Sequence, residues 1–389
     1  MDGSTSGFYS EANCDLADLR ALVEQPVDPG SVPNALEVRS NIPVYDAATL
    51  AKHFSEPDLR RELLAEWAHI LHSSAGVFAI RNAQPDLDAI DQATAAYEGI
   101  IAREKETLEA ADHFAAAGSN DRIWNSLQKL AETAPEVYVR YFASPAIDAA
   151  SEAWLGPNYQ MTAQINLVHP GGKAQRMHRD YHLGFQTAEL SATYPAHVHD
   201  LSPLMTLQGG LAHCDVPIAS GSTKLLPFSQ MYRPGYAAWR RDDYQAYFEE
   251  NFAQLPLQKG DAVFFNPALF HAAGDNTTKD VHRMVNLFQV SSAFGRSLEN
   301  VNRRRMCEAV YDALALAWND KTMSEAELDA VLGSTAEGYP FPTNLDTDPP
   351  VGGLAPKSQK ELMKDAILAG SDKSEFVAIL DDLAARQSA

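Results

Sequence analysis

Tyr159-Gln160-Met161-Thr162-Ala163-Gln164-Ile165-Asn166-Leu167-Val168, closed by His169-Pro170-Gly171-Gly172, is where the chain changes period. Met161, Ala163, Ile165 and Leu167 alternate with Thr162, Gln164 and Asn166, the spacing of a strand with two unlike faces. The Pro-Gly-Gly run then breaks it as a turn. Further short segments follow: Gln175 to His182, Gln208 to Asp215, Thr223 to Pro227, Ala262-Val263-Phe264-Phe265 and Val281 to Val290. Ser220-Gly221-Ser222 and Gln258-Lys259-Gly260-Asp261 punctuate them as turns. Many short strands with glycine-bearing turns predict a jelly roll, two sheets closed into a barrel.

Outward from this core the pattern is helical. Leu59, Leu63, Trp67 and Leu71, flanked by Leu64 and Ile70, repeat at helix spacing, and Pro57-Asp58 suits the start of that helix. Gly76-Val77-Phe78-Ala79-Ile80 reads as a short buried strand, and helices are expected over Asp86 to Lys105, Asp121 to Thr133 and Pro135 to Trp154. Past the core, a helix is expected from Arg303 to Leu332, then a Pro/Gly-rich linker from Tyr339 to Pro356. Two short helices finish the chain, the second with Ser371 as N-cap and Glu375 in its first turn. The expectation is an α+β protein: a mainly helical scaffold over 1–155, a jelly-roll core over 156–300 and a helical extension over 301–389 that forms one unit with the core. Two insertions, 185–205 and 231–256, interrupt the core. The second carries Tyr232, Tyr236, Trp239, Tyr244, Tyr247, Phe248 and Phe252. Segments of that length inside a compact domain serve as lids or binding loops, or carry structure of their own.

Of 389 residues, 52 are acidic and 31 basic, a formal charge of −21, which disfavours phosphate backbones and anionic membrane surfaces as partners. Cys14, Cys214 and Cys307 are odd in number and widely spaced, which argues against a disulfide framework and for a reducing compartment. Met1-Asp2-Gly3-Ser4-Thr5 has neither a basic segment nor a long apolar run, so the expected location is cytoplasmic.

The chemistry concentrates at His178-Arg179-Asp180. On a strand, His178 and Asp180 at i and i+2 point to one face. With His271 they make two imidazoles and one carboxylate, the donor set of non-haem Fe(II) oxygenases, which leaves positions open for a co-substrate and O2. Arg283, twelve residues beyond His271, is placed to hold a carboxylate in a bidentate fork. Together the four residues suggest an iron enzyme that uses 2-oxoglutarate. A second HxD, His213-Cys214-Asp215, fits an ordinary strand, with His213 a core histidine. His282 neighbours Arg283 and must face the other way if Arg283 points inward. Gln164 and Asn166 share a face of the first core strand and are candidate co-substrate contacts, or else sheet-edge hydrogen-bonding groups. Arg233, Arg240 and Arg241 on the aromatic insertion form a basic patch for a substrate carboxylate or CoA group, or a solvated helix face.

His178-Arg179-Asp180, Ser220 to Ser229, Gly260-Asp261-Ala262-Val263-Phe264-Phe265 and the His271…Arg283 spacing together resemble the phytanoyl-CoA dioxygenase family over about residues 159 to 295. The resemblance implies a double-stranded β-helix, Fe(II) held by His178, Asp180 and His271, and 2-oxoglutarate anchored by Arg283. It also implies decarboxylation to succinate and CO2 coupled to hydroxylation of an unactivated C–H bond of a small molecule. Related halogenases carry a small residue where this chain has Asp180, so hydroxylation is the expected outcome. The chain departs from the family's usual Asn-Gly and Pro-Gly-Ser-His at Ser220-Gly221 and Pro227-Phe228-Ser229-Gln230, changes that bear on the substrate. Two other readings are a non-catalytic barrel that binds or scaffolds, and a cupin-type metal enzyme independent of 2-oxoglutarate. The intact triad and Arg283 argue against them. A homodimer through the terminal helices is compatible with the sequence.

Overall fold

The computed structural model of the protein describes residues 7–107 and 120–388. Met1 to Thr5, on which the reading of the N-terminus rests, lie outside the described residues. Ten strands are present among the described residues: β1 Glu37–Arg39, β2 Ile42–Asp46, β3 Val77–Arg81, β4 Asn120–Ile123, β5 Gln160–Val168, β6 Thr206–Ala212, β7 Lys224–Leu226, β8 Ala262–Phe265, β9 Phe270–Ala272 and β10 Arg283–Ser291. Eight make one sheet in the order β1-β2-β3-β8-β6-β10-β5-β4, and β7 pairs with β9 in a second. Every pairing is antiparallel except β2 with β3. The small sheet is widened by single bridges, His178 to His271, Leu225 to Ala253 and Val216 to Leu257. This is the α+β jelly-roll architecture, a double-stranded β-helix, with a cavity between its two sheets.

The alternation in β5 acquires its meaning here. Met161, Ala163 and Ile165 enter the apolar core under the helices, whereas Gln164 and Asn166 line the cavity. In β10, Met284, Phe288 and Val290 face the core, and Val285, Leu287 and Gln289 the cavity. β6 divides likewise, with Leu207 and Leu211 against Gln208 and Gly210. Stacked aromatics tie the helices to this sheet. Trp67 of helix Pro57–Ser73 lies 4.9 Å from Phe78 of β3, which reaches Phe264 of β8 at 5.9 Å and, through it, Phe288 of β10 at 6.2 Å. Burying each such ring contributes roughly 1.5–3 kcal/mol. One apolar cluster runs from Val27 through the barrel to Leu380, so all three sequence segments share a core.

Several elements differ from the sequence reading. Besides their helices, the first 155 residues supply four short strands of the large sheet. The expected strand Gln175 to His182 pairs only at His178, because Tyr181 and His182 take positive φ (64° and 40°) and turn into the 3-10 segment His182–Phe185. The helix expected from Asp121 starts at Ser126, after β4 and a left-handed Asn125. Pro135 to Trp154 is two helices, Pro135–Phe142 and Pro145–Leu155. Arg303 to Leu332 is also two, Arg303–Asn319 and Glu325–Thr335, divided where Lys321 turns left-handed and Ser324 makes a capping box with Glu327. Asp372, not Ser371, caps the last helix, with Glu375 closing its capping box. Both insertions are structured: Ala188–Ser191 and Ala196–Leu204 are helices in the first, Gly235–Ala238 and Asp242–Asn251 in the second. No helix among the described residues is long and apolar enough to cross a membrane.

Candidate active site

Strand pairing assembles the site. The His178 N–H donates to the His271 carbonyl at 2.9 Å, the His271 N–H returns a bond at 3.2 Å, and the two imidazole centroids lie 4.4 Å apart. Two residues on, Asp180 is tied by its N–H to the Pro267 carbonyl at 3.0 Å. Its carboxylate oxygens then lie 3.7 Å from His178 Nε2 and 3.5 Å from His271 Nε2. One ligand atom from each of the three residues falls within 4.8 Å of the others, as donors around a single ion require.

The tautomers are set from behind. His178 Nδ1 lies 2.9 Å from the Arg176 carbonyl and His271 Nδ1 2.8 Å from the Leu269 carbonyl. A carbonyl can only accept, so each Nδ1 carries the hydrogen and each Nε2 lone pair is free to bind a metal. Gln208 Nε2 donates to Asp180 Oδ2 at 2.6 Å. Burial by itself would raise the Asp180 carboxyl, but the two imidazoles and the Gln208 amide outweigh it and hold the group well below the ordinary carboxylate range. Burial, with the neighbouring His271, pushes His178 down, toward the neutral form that ligates. Neutral imidazoles with one carboxylate suit a divalent first-row metal.

Arg283 opens β10, is 5% exposed and lines the same cavity, whose volume is about 830 Å³. Its Nη1 donates to the carbonyl of Gly221, while its Nε has no partner. Gly221 is held at φ +85°, and a Cβ there would meet the Gly274 carbonyl oxygen at 2.4 Å, so only glycine brings this turn under the guanidinium. No carboxylate among the described residues pairs with Arg283, and burial pushes it down to about 10. A buried guanidinium with donors to spare is a receptor for an anion.

Gln164 and Asn166 are both buried in the cavity wall. Gln164 Oε1 accepts from Arg122 Nη1 at 3.0 Å, and Asn166 Oδ1 has no partner. Arg179, between His178 and Asp180, does not join them. Its Nη2 donates to the Ser229 and Tyr232 carbonyls at 2.6 and 2.9 Å, and its guanidinium lies 4.8 Å from the Phe270 ring. His213 is away from the triad, fixed between Thr94 Oγ1 (2.8 Å) and Tyr141 OH (2.7 Å), and burial pushes it down to about 3. His282 faces away from the cavity, toward His169 at 2.9 Å. Of the basic patch, Arg233 pairs with Asp200 and Arg241 with Asp243, both at 2.7 Å, and only Arg240 lines the cavity. Gln208 is the site residue the sequence reading passed over. Its only signal was a polar side chain inside an otherwise apolar strand segment.

A jelly roll with a two-histidine, one-carboxylate donor set beside an unpaired buried arginine is the class this geometry defines. The phytanoyl-CoA dioxygenase (PhyH) family matches residues 72–285, more than half of the 389 residues, and the protein belongs to that family. Among curated proteins it is similar to Dioxygenase trt7 of Aspergillus terreus, 24% identical over 147 residues, which is 38% of this chain and 46% of the relative. The matched stretch therefore spans about half the length of that relative. Among solved structures it is similar to the non-heme alpha-ketoglutarate-dependent epimerase SnoN from nogalamycin biosynthesis (18% identity, 60% of this chain and 84% of that one, TM-score 0.40). It is also similar to the carbocyclase SnoK of the same biosynthesis (20% identity, 59% and 83%, TM-score 0.43).

Proposed function

We propose that the protein is an Fe(II)- and 2-oxoglutarate-dependent dioxygenase that hydroxylates an unactivated C–H bond of a small organic substrate. One observation carries the reading: His178, Asp180 and His271 share a cavity with Arg283, a buried guanidinium that no carboxylate of the described chain neutralises. The name of the curated relative, a dioxygenase, agrees with it. When bound, iron and 2-oxoglutarate supply oxygen activation, with succinate and CO2 released and one oxygen atom delivered to the substrate.

The chain's own contribution is positional. The Nδ1 bonds to the Arg176 and Leu269 carbonyls keep both imidazoles neutral and aim their Nε2 atoms at one point. Gln208 holds the Asp180 carboxylate in the orientation that completes the triad. Arg283 receives the far carboxylate of the co-substrate, and Gln164 and Asn166 offer amide groups on the same wall. Leu225, Val263, Phe265, Val285 and Leu287 line the remaining space and keep bulk water from the reacting centre. Because Asp180 fills the third ligand position, no room is left there for a halide, which favours hydroxylation. Cys14, Cys214 and Cys307 are all free, in keeping with a reducing, cytoplasmic setting.

The test is an anaerobic titration with Fe(II) and 2-oxoglutarate, followed by the weak visible charge-transfer band of the chelated keto acid. A band in the wild type that is lost in His178→Ala is the expected result. No band in a folded wild type overturns the proposal.

A further inference from the structure

In a chain of net charge −21, the described residues of the cavity wall include five arginines, Arg122, Arg176, Arg179, Arg240 and Arg283, and one carboxylate, the triad's own Asp180. A cavity of that composition concentrates anions. A keto-acid co-substrate accounts for one of these cations, Arg283. Arg179 is spoken for by the Ser229 and Tyr232 carbonyls. Arg176 is a mostly exposed partner of Asp242 at 3.3 Å, and Arg122 is engaged with Gln164.

Arg240 is different. It stacks on Trp239, with its guanidinium carbon 3.9 Å from the ring centroid, and both side chains line the cavity. Its Nη2 is fixed by the carbonyls of Gly184, at 3.2 Å, and Gln186. Its Nη1 is buried without a hydrogen-bond partner, and so is Nε1 of Trp239 beside it. Among the described residues Arg240 forms no ion pair with a carboxylate, whereas the other two arginines of the insertion, Arg233 and Arg241, each have one at 2.7 Å. Two donors buried without acceptors in residues that line the cavity, one of them charged, are a cost to the folded chain that an oxyanion brought within their reach removes.

The pair is also held in register with the triad. Gln245 Nε2 donates to the Trp239 carbonyl at 2.6 Å and to the carbonyl of Met177, next to His178, at 2.8 Å. Tyr236 OH donates to the Asp180 carbonyl at 2.9 Å. The insertion therefore holds the His178–Asp180 segment at Met177, just before it, and at Asp180. A substrate anchored on Arg240 and Trp239 is placed at a constant offset from the reacting centre.

Resting on the dioxygenase reading, we propose that the substrate is a small organic acid whose carboxylate is received by Arg240 and Trp239, which select it over neutral analogues. The test uses wild type, Arg240→Gln, Arg240→Lys and Trp239→Phe, each loaded anaerobically with Fe(II) and 2-oxoglutarate. The probes are a panel of alkyl and aryl carboxylic acids, each with its matched primary amide, and binding is read from perturbation of the visible band. The wild-type band without probe reports on the metal reading separately from this one. The expected result is that acids bind the wild type about tenfold or more tighter than their amides. That ratio collapses toward one in Arg240→Gln and is partly kept in Arg240→Lys. Trp239→Phe, which removes the Nε1 donor and keeps a ring, weakens the acids by a few-fold. A merely structural Arg240 would weaken acids and amides alike and leave the ratio standing, which overturns the proposal. So does a wild type that shows the band but prefers no acid in the panel to its amide.

Discussion

Arg283→Met is expected to weaken 2-oxoglutarate while strengthening the empty protein, and the opposed signs make it a searching test. Arg283 is buried, gives one Nη1 bond to the Gly221 carbonyl, and has no carboxylate against it among the described residues. Burial lowers it to about 10, which at about 1.4 kcal/mol per pH unit is a desolvation cost of roughly 3 kcal/mol for the charged side chain. Methionine fills similar space without that cost. The Gly221 carbonyl then loses its donor, which returns about 1–2 kcal/mol. The net gain for the co-substrate-free protein is on the order of 1–2 kcal/mol, a rise in Tm of a few degrees at most for a chain of this size. Binding moves the other way. A carboxylate held by a guanidinium in charge-assisted bonds is worth about 1.5–3 kcal/mol, so the Kd for 2-oxoglutarate rises roughly 10- to 150-fold. Anaerobic titration of the visible band gives the affinity, and thermal unfolding without 2-oxoglutarate gives the stability. An unchanged affinity refutes the assignment of Arg283 as anchor. A large loss of stability would show instead that the guanidinium serves the fold.

Two other expectations test neighbouring parts of the argument. Gln208→Leu removes the 2.6 Å amide bond to Asp180 while keeping the side chain's bulk, and is expected to lower Fe(II) affinity about 10- to 100-fold in a folded protein; an Fe(II) titration with unchanged affinity would dismiss Gln208 as a positioning residue. Glu299 is buried and raised to about 7, chiefly by burial, with the Asn125 N–H and Lys129 opposing. A raised carboxyl binds its proton in the folded state at pH values where the unfolded chain has released it. Its contribution therefore declines as pH rises from about 4.3, the ordinary glutamate value, to about 7, and is lowest above that. Glu299→Gln is expected to gain on the wild type by a few kcal/mol at pH 8 and to match it near pH 4; parallel wild-type and variant stability curves across that range would contradict the placement of this charge.

How far the sequence reaches can be judged residue by residue. His178 and Asp180 at i and i+2, His271 beyond the Gly260 turn, and Arg283 with His282 turned the other way are all legible, because strand geometry makes neighbours alternate regardless of what they pair with. Sidedness is a local property, and so is the change of period at Tyr159 that announces the barrel. What lies on each side is not local. The polar residues Gln164 and Asn166 of β5 and Gln208 of β6 turn inward to a cavity while their apolar neighbours face the helices, which only the packing of both layers decides, and that inversion is why Gln208 was passed over. Gly76 to Ile80 is legible as a strand, but its place in the large sheet is not, because its antiparallel partner β8 lies far along the chain, where no periodicity points. The same holds for charge. Arg233, Arg240 and Arg241 are near-equivalent as a sequence patch. Arg233 is neutralised by Asp200, 33 residues away, Arg241 by Asp243, and Arg240 alone faces the cavity. The sequence by itself determined the chemistry of the candidate ligands and the alternation that presents them. The tertiary structure decided which side chains meet, because pairing across a barrel is set by contacts between residues distant in the chain.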